Sequence, residues 1–134
     1  MDAVALMQAA EAARAMAHAP YSRFTVGAAL LCADGSLQPG CNIENASYGA
    51  TVCAERVALG AAVARGQRRF TAIAVAGPSG VALSPCGLCR QVLSEFSPDG
   101  GLLVLMRAAD GSLRQTTLAS LLPDAFGPDQ LHPG

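Results

Sequence analysis

The chain has 134 residues, of which 51% are hydrophobic and 14% are charged, so its length predicts a single domain, residues 1–134, with a packed core. A total of 9 Lys and Arg against 10 Asp and Glu gives a net charge of −1, which argues against partners such as nucleic acid or an anionic membrane. A small neutral substrate fits this charge balance better, and the high apolar fraction favours an oligomer.

The N-terminal third predicts a helix followed by a hairpin. Apolar residues recur at spacings of three and four over residues 3–17, which indicates an amphipathic helix that Pro20 ends. The pattern then changes to alternation, and the Asp-Gly pair at 34–35 is a strong turn signal between two strands within residues 24–45. The chain is therefore expected to double back on itself here.

Two further helices are predicted, with a strand between them. Thr51 is expected to be the N-cap of a helix that runs to about Arg65, and residues 71–76 alternate as a strand. Ser84 as N-cap, with Pro85 at the first helical position, is a specific signature of a helix start.

The C-terminal third predicts two strands and a short helix. Residues 101–107 have the pattern of a buried strand, residues 113–117 of another, and residues 118–122 of a short helix. About five strands with helices between the later ones predict a mixed sheet covered on both faces, which is an α/β layered domain.

The cysteine content indicates a reducing compartment. The N-terminus carries Asp2 and Glu11 where a secretory signal would carry Lys or Arg, and the apolar runs are far shorter than the roughly 20 residues that span a bilayer. Of the 5 cysteines, three stand at metal-ligand spacing, so we expect reduced thiols in a cytoplasm rather than disulfides.

Three cysteines stand at predicted helix starts. Cys86 and Cys89 form a C-x-x-C pair on one helix face, and Cys53 lies at the start of the other helix. A C-x-x-C pair alone is a weak signal, because redox pairs and structural zinc sites also carry it. Unpaired N–H groups and the positive end of a helix dipole favour thiolates, which bind zinc. The three cysteines therefore predict one zinc site if the two helix starts are neighbours.

The fourth ligand decides what kind of zinc site this is. A structural zinc usually has four protein ligands, whereas a catalytic zinc keeps one position open. Cys41 is the nearby candidate, but strand alternation places it opposite Asn42 and Glu44, so it cannot join a site that this polar pair faces. Three more residues are expected outside the site, namely Cys32 in the core and His18 and His132 as surface or capping groups.

Glu55 and Arg56 follow the first cysteine. Glu55 is within reach of a metal at Cys53 without binding it, which predicts an acceptor and donor of protons for zinc-activated water. An acidic residue in a first turn also complements the helix dipole without any catalytic role. Arg56 is expected to offset the net negative charge of three thiolates and Zn²⁺, the alternative being an ordinary surface arginine.

These stretches together resemble a known family. PYSRFTVGAAL, CNIENASYGATVCAERVA, SPCGLCRQVLSEF and LLPDAFG are similar to the small homotetrameric cytidine deaminases of pyrimidine salvage, and the likeness covers nearly the whole chain. Zinc deaminases in general have H-x-E followed by P-C-x-x-C, and Cys53 replaces that histidine here. The resemblance implies a three-layer α-β-α fold with a mixed five-stranded sheet and one Zn²⁺ per subunit.

The resemblance also implies a reaction and a substrate site. Glu55 would take a proton from zinc-bound water, the hydroxide would attack C4 of cytidine or 2′-deoxycytidine, and Glu55 would relay protons to N3 and to the departing ammonia. The product would be uridine or 2′-deoxyuridine. The implied substrate contacts are Phe24, Asn42, Glu44 and the backbone of Ala54 from one subunit, and Ala46, Tyr48 and Phe126 from neighbouring subunits, with Phe126 stacking on the base.

Two other functions share parts of this pattern. A deaminase that acts on bases within RNA or DNA uses the same zinc chemistry, but the charge balance argues against it. A domain without enzymatic activity would close a structural zinc with Cys41 as the fourth ligand.

Overall fold

The structure, a computed structural model, describes residues 1–131, so the prediction for His132 lies outside the described residues. The helices are α1 (Ala3–Ala13), α2 (Ala54–Ala64), α3 (Gly87–Ser94), α4 (Leu118–Leu121) and α5 (Pro128–Leu131). The strands are β1 (Gly27–Cys32), β2 (Leu37–Cys41), β3 (Phe70–Ala76), β4 (Leu103–Arg107) and β5 (Leu113–Thr117). Two 3₁₀ turns, Arg14–Met16 and Tyr48–Ala50, complete the regular structure of the described chain.

The five strands form one mixed sheet in the order β2-β1-β3-β4-β5. The pair β3 and β4 is parallel, with Ile73 opposite Val104, and the other neighbouring strands are antiparallel. A parallel pair needs a long crossover connection, and α3 lies within the segment that joins β3 to β4. The predicted mixed five-stranded sheet is therefore confirmed.

Helices cover both faces of the sheet. On one face, Leu6, Met7 and Ala10 of α1 pack with small strand residues such as Ala29 and Ala74. On the other face, α2 and α3 pack on larger strand side chains in a second buried cluster, which also contains Cys32. Alternate strand residues point to opposite faces, so each strand supplies both clusters. The three-layer α-β-α prediction is confirmed, and Cys32 is a core residue as expected.

The first helix is shorter than predicted. It ends at Ala13, continues as one 3₁₀ turn, and reaches an extended conformation at Ala17. His18 then pairs with Ile43 in a parallel bridge, which requires extended backbone well before Pro20. Long-range pairing of His18, rather than the proline, therefore decides where the helix stops.

The two predicted N-caps are wrong, and both helices begin two residues later. Cys53 is the N-cap of α2 and Cys86 is the N-cap of α3, both with extended backbone and neither with a side-chain capping bond. The backbone of Val52 pairs with Ile43, which keeps the chain extended beyond Thr51. At the other helix, the Ser84 hydroxyl accepts a hydrogen bond from Arg90 instead of capping the helix.

Among the helices of residues 1–131, none combines the length and hydrophobicity that a membrane-spanning segment requires.

Helix α2 approaches β2 closely at Gly40. A Cβ atom added to Gly40 would lie 2.5 Å from the backbone N of Ala58 and 2.6 Å from the carbonyl O of Ala54. Because these neighbours are backbone atoms, they cannot move aside without shifting the helix. Glycine at this position therefore lets α2 lie against the sheet and sets the place of its N-terminus.

We expect Gly40→Ala to lower the free energy of unfolding by about 1–3 kcal/mol, because the added methyl group overpacks the contact between β2 and α2. The control is Gly60→Ala on the same helix, where an added Cβ has no neighbour within 4 Å. That substitution should raise the free energy of unfolding by about 0.5–1 kcal/mol, since alanine favours helix more than glycine does. Denaturant titrations at one fixed protein concentration measure the free energy of unfolding of both variants. Equal changes in the two variants would contradict a tight contact between β2 and α2 at Gly40.

Candidate active site

The N-termini of α2 and α3 bring three thiols together. The sulfur atoms of Cys53, Cys86 and Cys89 all lie within 4.8 Å of one another, and those of Cys53 and Cys86 are 3.9 Å apart. Tetrahedral zinc with Zn–S bonds of about 2.3 Å holds its sulfur ligands about 3.8 Å apart. The spacing and the chemistry of these three donors therefore fit a zinc ion.

We call these three cysteines the metal-binding group. Within residues 1–131, no other His, Cys, Asp or Glu belongs to it. Cys41 lies at the end of β2 opposite Gly27 and is not a member of the group. His18 is likewise outside it and is engaged in its bridge to Ile43. The protein therefore supplies three ligands, the number typical of catalytic zinc sites.

The surroundings of Cys53 favour its thiolate. A hydrogen bond from Cys89, together with Arg56, lowers the pKa of Cys53 to about 5. The Arg56 Nη2 atom lies 3.5 Å from the Cys53 sulfur and donates to it. The N-cap position adds the positive end of the α2 dipole to this effect. Arg56 thus contacts one sulfur atom of the metal-binding group directly.

Glu55 is a buried carboxyl group in the first turn of α2. Its exposed fraction is 4%, and burial, reinforced by the charge of the Cys53 thiolate, raises the pKa of Glu55. No salt bridge to Glu55 occurs within the described residues, where the one such pair joins Glu11 and Arg107. A carboxyl group with a raised pKa is a stronger base than an exposed one and stays partly protonated at a higher pH, so it can act as both acceptor and donor of a proton.

One cavity of about 160 Å³, which we call the cysteine cavity, is lined by Glu55 and by the thiols of Cys53 and Cys86. Its polar wall contains Asn42, Glu55 and Ser84 beside the thiols of Cys53 and Cys86. The rest of the lining is mainly apolar and consists of Val26, Thr51, Val52, Ala54 and Leu83. A small, mostly apolar cavity with a few convergent polar groups is typical of a ligand site. The structure therefore brings the predicted Asn42 and Ala54 to the same cavity as Glu55.

Asn42 organises the wall of this cavity. Its Oδ1 accepts from the backbone N–H of Val26 at 2.8 Å, and its Nδ2 donates to the carbonyl O of Phe24 at 2.8 Å. Asn42 is almost entirely buried, and these bonds leave one Nδ2 hydrogen without a partner among them. Phe24 does not line the cavity, and its hydrogen bond with Asn42 is made by its backbone carbonyl group.

Glu44 lies in an adjoining open pocket of about 400 Å³. Its carboxylate accepts from the backbone N–H groups of Tyr21 at 3.0 Å and Ser22 at 3.1 Å, and from the Ser22 hydroxyl. The Ser22 hydroxyl bond is the largest cause of the lowered pKa of Glu44, so the group is a carboxylate at neutral pH. Thr51 lines both this pocket and the cysteine cavity, which makes the two spaces neighbours.

The other three predicted contact residues lie at the surface of the single chain. Ala46 is exposed, Tyr48 has an exposed fraction of 80%, and Phe126 one of 54%. Tyr48 lines the Glu44 pocket and makes an edge-to-face contact with Tyr21 at a ring-centroid distance of 6.5 Å. Phe126 lines a separate groove of about 340 Å³ near the C-terminus and does not reach the cysteine cavity within one chain.

Several lining residues were missed by the sequence interpretation. Thr51 was predicted only as a helix cap, although its position two residues before Cys53 already places it beside the metal-binding group. Ser22 is separated from Glu44 by 21 residues, and nothing in the local sequence indicates that it holds this carboxylate. Leu83 and Val52 have no signal beyond being apolar residues next to the two helix starts.

Comparison with known proteins supports the assignment of a zinc site to this chain. The family profile of the cytidine and deoxycytidylate deaminase zinc-binding region matches residues 2–104. A cytidine deaminase of Sporosarcina psychrophila is 47% identical over 98% of this chain and 96% of its own length.

Solved structures agree in fold. A crystal structure of cytidine deaminase from Burkholderia pseudomallei has a TM-score of 0.88 and 51% identity, covering 94% of this chain and 100% of that chain. Cytidine deaminase from Mycobacterium tuberculosis has a TM-score of 0.84 and 46% identity over 95% of this chain and 98% of that chain. The chain thus belongs to the cytidine and deoxycytidylate deaminase family of zinc-binding proteins.

Proposed function

We propose that this protein deaminates cytidine and 2′-deoxycytidine by hydrolysis, giving uridine or 2′-deoxyuridine and ammonia. The observation that carries the proposal is the buried Glu55 carboxyl group, which lines one small cavity together with two of the three clustered thiols. Cys53, Cys86 and Cys89 would hold one Zn²⁺ per subunit. When bound, the zinc supplies Lewis-acid activation of a water molecule.

Glu55 is the proposed proton carrier. Its carboxylate accepts a proton from the attacking water and delivers it to N3 of the ring, while the C4–O bond forms and the C4–N3 double bond becomes single. Glu55 then carries the proton of the new C4 hydroxyl group to the amino nitrogen, which leaves as ammonia as the C4–N bond breaks and the C4 carbonyl group forms. Its raised pKa makes Glu55 a stronger base than an exposed glutamate, and it also keeps part of the group protonated at a higher pH, so that a proton is available for transfer to the substrate. The apolar lining from Val26, Val52 and Leu83 keeps bulk water away from these transfers.

Arg56 is proposed to balance charge. Three thiolates and Zn²⁺ carry a net charge of −1, which opposes loss of a proton from the attacking water. The guanidinium contact with the Cys53 sulfur offsets part of that charge. The Nε atom of Arg56 is buried and has no hydrogen-bond partner among residues 1–131, so the side chain is held at the site despite an unsatisfied donor.

Asn42 and Glu44 are the proposed binding residues for the sugar. The unused Nδ2 hydrogen of Asn42 is a donor for a ribose hydroxyl oxygen, and the Glu44 carboxylate is an acceptor for a hydroxyl proton. Because Glu44 is ionised, a phosphate group near it would be repelled, so nucleosides should be preferred to nucleotides. Phe24 and the backbone of Ala54 complete the proposed contacts from the same subunit.

We further propose a homotetramer in which neighbouring subunits complete the pocket. Ala46, Tyr48 and Phe126 are exposed in the single chain, and the ring of Phe126 is the proposed stacking partner of the base. The chain of 134 residues is proposed to act as one domain. Free thiols that are clustered in this way are typical of a reducing compartment, so we propose a cytoplasmic location, and we also propose a role in pyrimidine salvage.

The central experiment compares the wild type with Glu55→Gln on free cytidine. We expect the wild type to convert cytidine to uridine and the variant to lose activity by several orders of magnitude, because an amide cannot carry the proton. Zinc content, measured on the same samples, should stay at one per chain in both proteins, since Glu55 is not a ligand.

The controls separate the alternative functions. A zinc chelator should abolish turnover by the wild type, and a cytosine-containing oligonucleotide should be a poor substrate. Preferential turnover of the oligonucleotide would indicate a deaminase of nucleic acids instead. Loss of zinc from Glu55→Gln would contradict the role given to Glu55, and absence of cytidine turnover by the zinc-loaded wild type would contradict the proposed function.

Phe126→Ala tests the contribution of the neighbouring subunit. If the ring binds substrate and transition state equally, KM should rise while kcat changes little. Leu131→Ala is a matched control, because it removes another exposed apolar side chain from the same C-terminal segment. Steady-state kinetics measures both variants, and an unchanged KM for Phe126→Ala would exclude this ring from the pocket.

A further inference from the structure

Arg90 joins two segments of the chain that are distant in sequence. Its Nε donates to the carbonyl O of Pro85 at 2.7 Å, and its Nη1 donates to the carbonyl O of Leu121 at 2.7 Å. Its Nη2 donates to the hydroxyl of Ser84 at 3.3 Å. The guanidinium is charged, so these bonds are charge-assisted, and the two bonds to carbonyl groups are also partly buried.

The first of the two segments leads into the metal-binding group. Ser84 and Pro85 directly precede Cys86, which is the N-cap of α3 and one of the three thiols. Ser84 also lines the cysteine cavity. The Ser84 hydroxyl is bonded to Arg90 instead of capping α3, so this side chain fixes the approach to the helix. The position of the Cys86 sulfur therefore depends on the backbone that Arg90 holds.

The second segment leads to Phe126. Leu121 is the last residue of α4, and the final carbonyl groups of a helix lack partners within the helix. Arg90 satisfies the carbonyl group of Leu121, and the next residue, Gln91, donates from Nε2 to the carbonyl O of Phe126 at 2.9 Å. Two consecutive residues of α3 thus hold both ends of the stretch 121–126.

We propose that Arg90 is a positioning residue that sets the loop of residues 84–86 and the stretch 121–126 relative to each other. Through this one guanidinium, the metal-binding group and the segment that carries Phe126 are placed by the same helix. The part of the inference that concerns Phe126 depends on the proposed function, whereas the part that concerns Cys86 does not.

Lysine cannot replace this arginine. Three acceptors, the carbonyl groups of Pro85 and Leu121 and the hydroxyl of Ser84, are arranged around a planar fork with donors on three nitrogen atoms. An ammonium group is a single point at the end of a flexible stem and cannot meet all three with the same geometry. Arg90→Lys therefore keeps the charge and removes the link between the two segments.

The test compares Arg90→Lys with Arg107→Lys in the zinc-loaded protein. Arg107 also makes three side-chain hydrogen bonds, to Glu11 and to the carbonyl O of Gly111, and none of these residues lines the cysteine cavity. We expect Arg90→Lys to speed the release of zinc to a chromogenic chelator about tenfold and to raise KM for cytidine about tenfold, the size typical of groups that orient metal ligands. Arg107→Lys should change neither by more than about twofold.

A double variant tests the link to Phe126. If Arg90 places this segment, Phe126→Ala should raise KM by a smaller factor in the Arg90→Lys background than in the wild type. Additive effects of the two substitutions on KM would overturn that link. Identical zinc release and KM in Arg90→Lys and Arg107→Lys would overturn the whole inference.

The role of Arg90 can still be tested if Arg90→Lys does not fold or if the wild type does not deaminate cytidine. If Arg90→Lys does not fold, Ser84→Ala removes one of the three acceptors at an exposed residue and should speed zinc release about threefold, as expected for a single hydrogen bond. Unchanged zinc release in Ser84→Ala would then count against the inference. If the wild type does not deaminate cytidine, the proposed function fails, while the zinc-release comparison still tests the role of Arg90.

Discussion

The site depends on two helix N-termini that meet with a cysteine at each N-cap. Cys53 and Cys86 hold extended backbone where the helices begin, and neither makes a side-chain capping bond, so their sulfurs remain available to each other and to Cys89. Unpaired N–H groups and the aligned dipoles of α2 and α3 favour negative charge at this point. The fold therefore concentrates thiolate chemistry where the protein already supplies positive potential.

Each charged group at the site has a contact or an environment that sets its ionisation. Arg56 lies against the Cys53 sulfur, while burial makes the Glu55 carboxyl group harder to ionise. Glu44, in the adjoining pocket, stays ionised because the loop of Tyr21 and Ser22 donates hydrogen bonds to it. Two glutamates with opposite pKa shifts thus suit the two different tasks proposed for them, proton transfer for Glu55 and binding of a hydroxyl group for Glu44.

Local patterns predicted the sheet, the helices and the three thiols, because each depends on spacing that is visible in the sequence. The caps at Thr51 and Ser84 were predicted wrongly because long-range contacts compete with capping: the backbone of Val52 pairs with Ile43, and the Ser84 hydroxyl bonds to Arg90. The link from Arg90 to Leu121 spans 31 residues and leaves no local signal. Phe126 lies away from the cavity in the single chain, so its proposed role requires another subunit, which one sequence does not display.

The most direct test of this account is the number of sulfur ligands on the zinc, measured by X-ray absorption on the zinc-loaded 134-residue protein. With Cys53, Cys86 and Cys89 as the protein ligands, we expect three sulfur atoms at about 2.3 Å and one oxygen or nitrogen atom. Cys41→Ser should give the same spectrum. Four sulfur atoms, falling to three in Cys41→Ser, would identify a closed structural site and contradict a catalytic zinc.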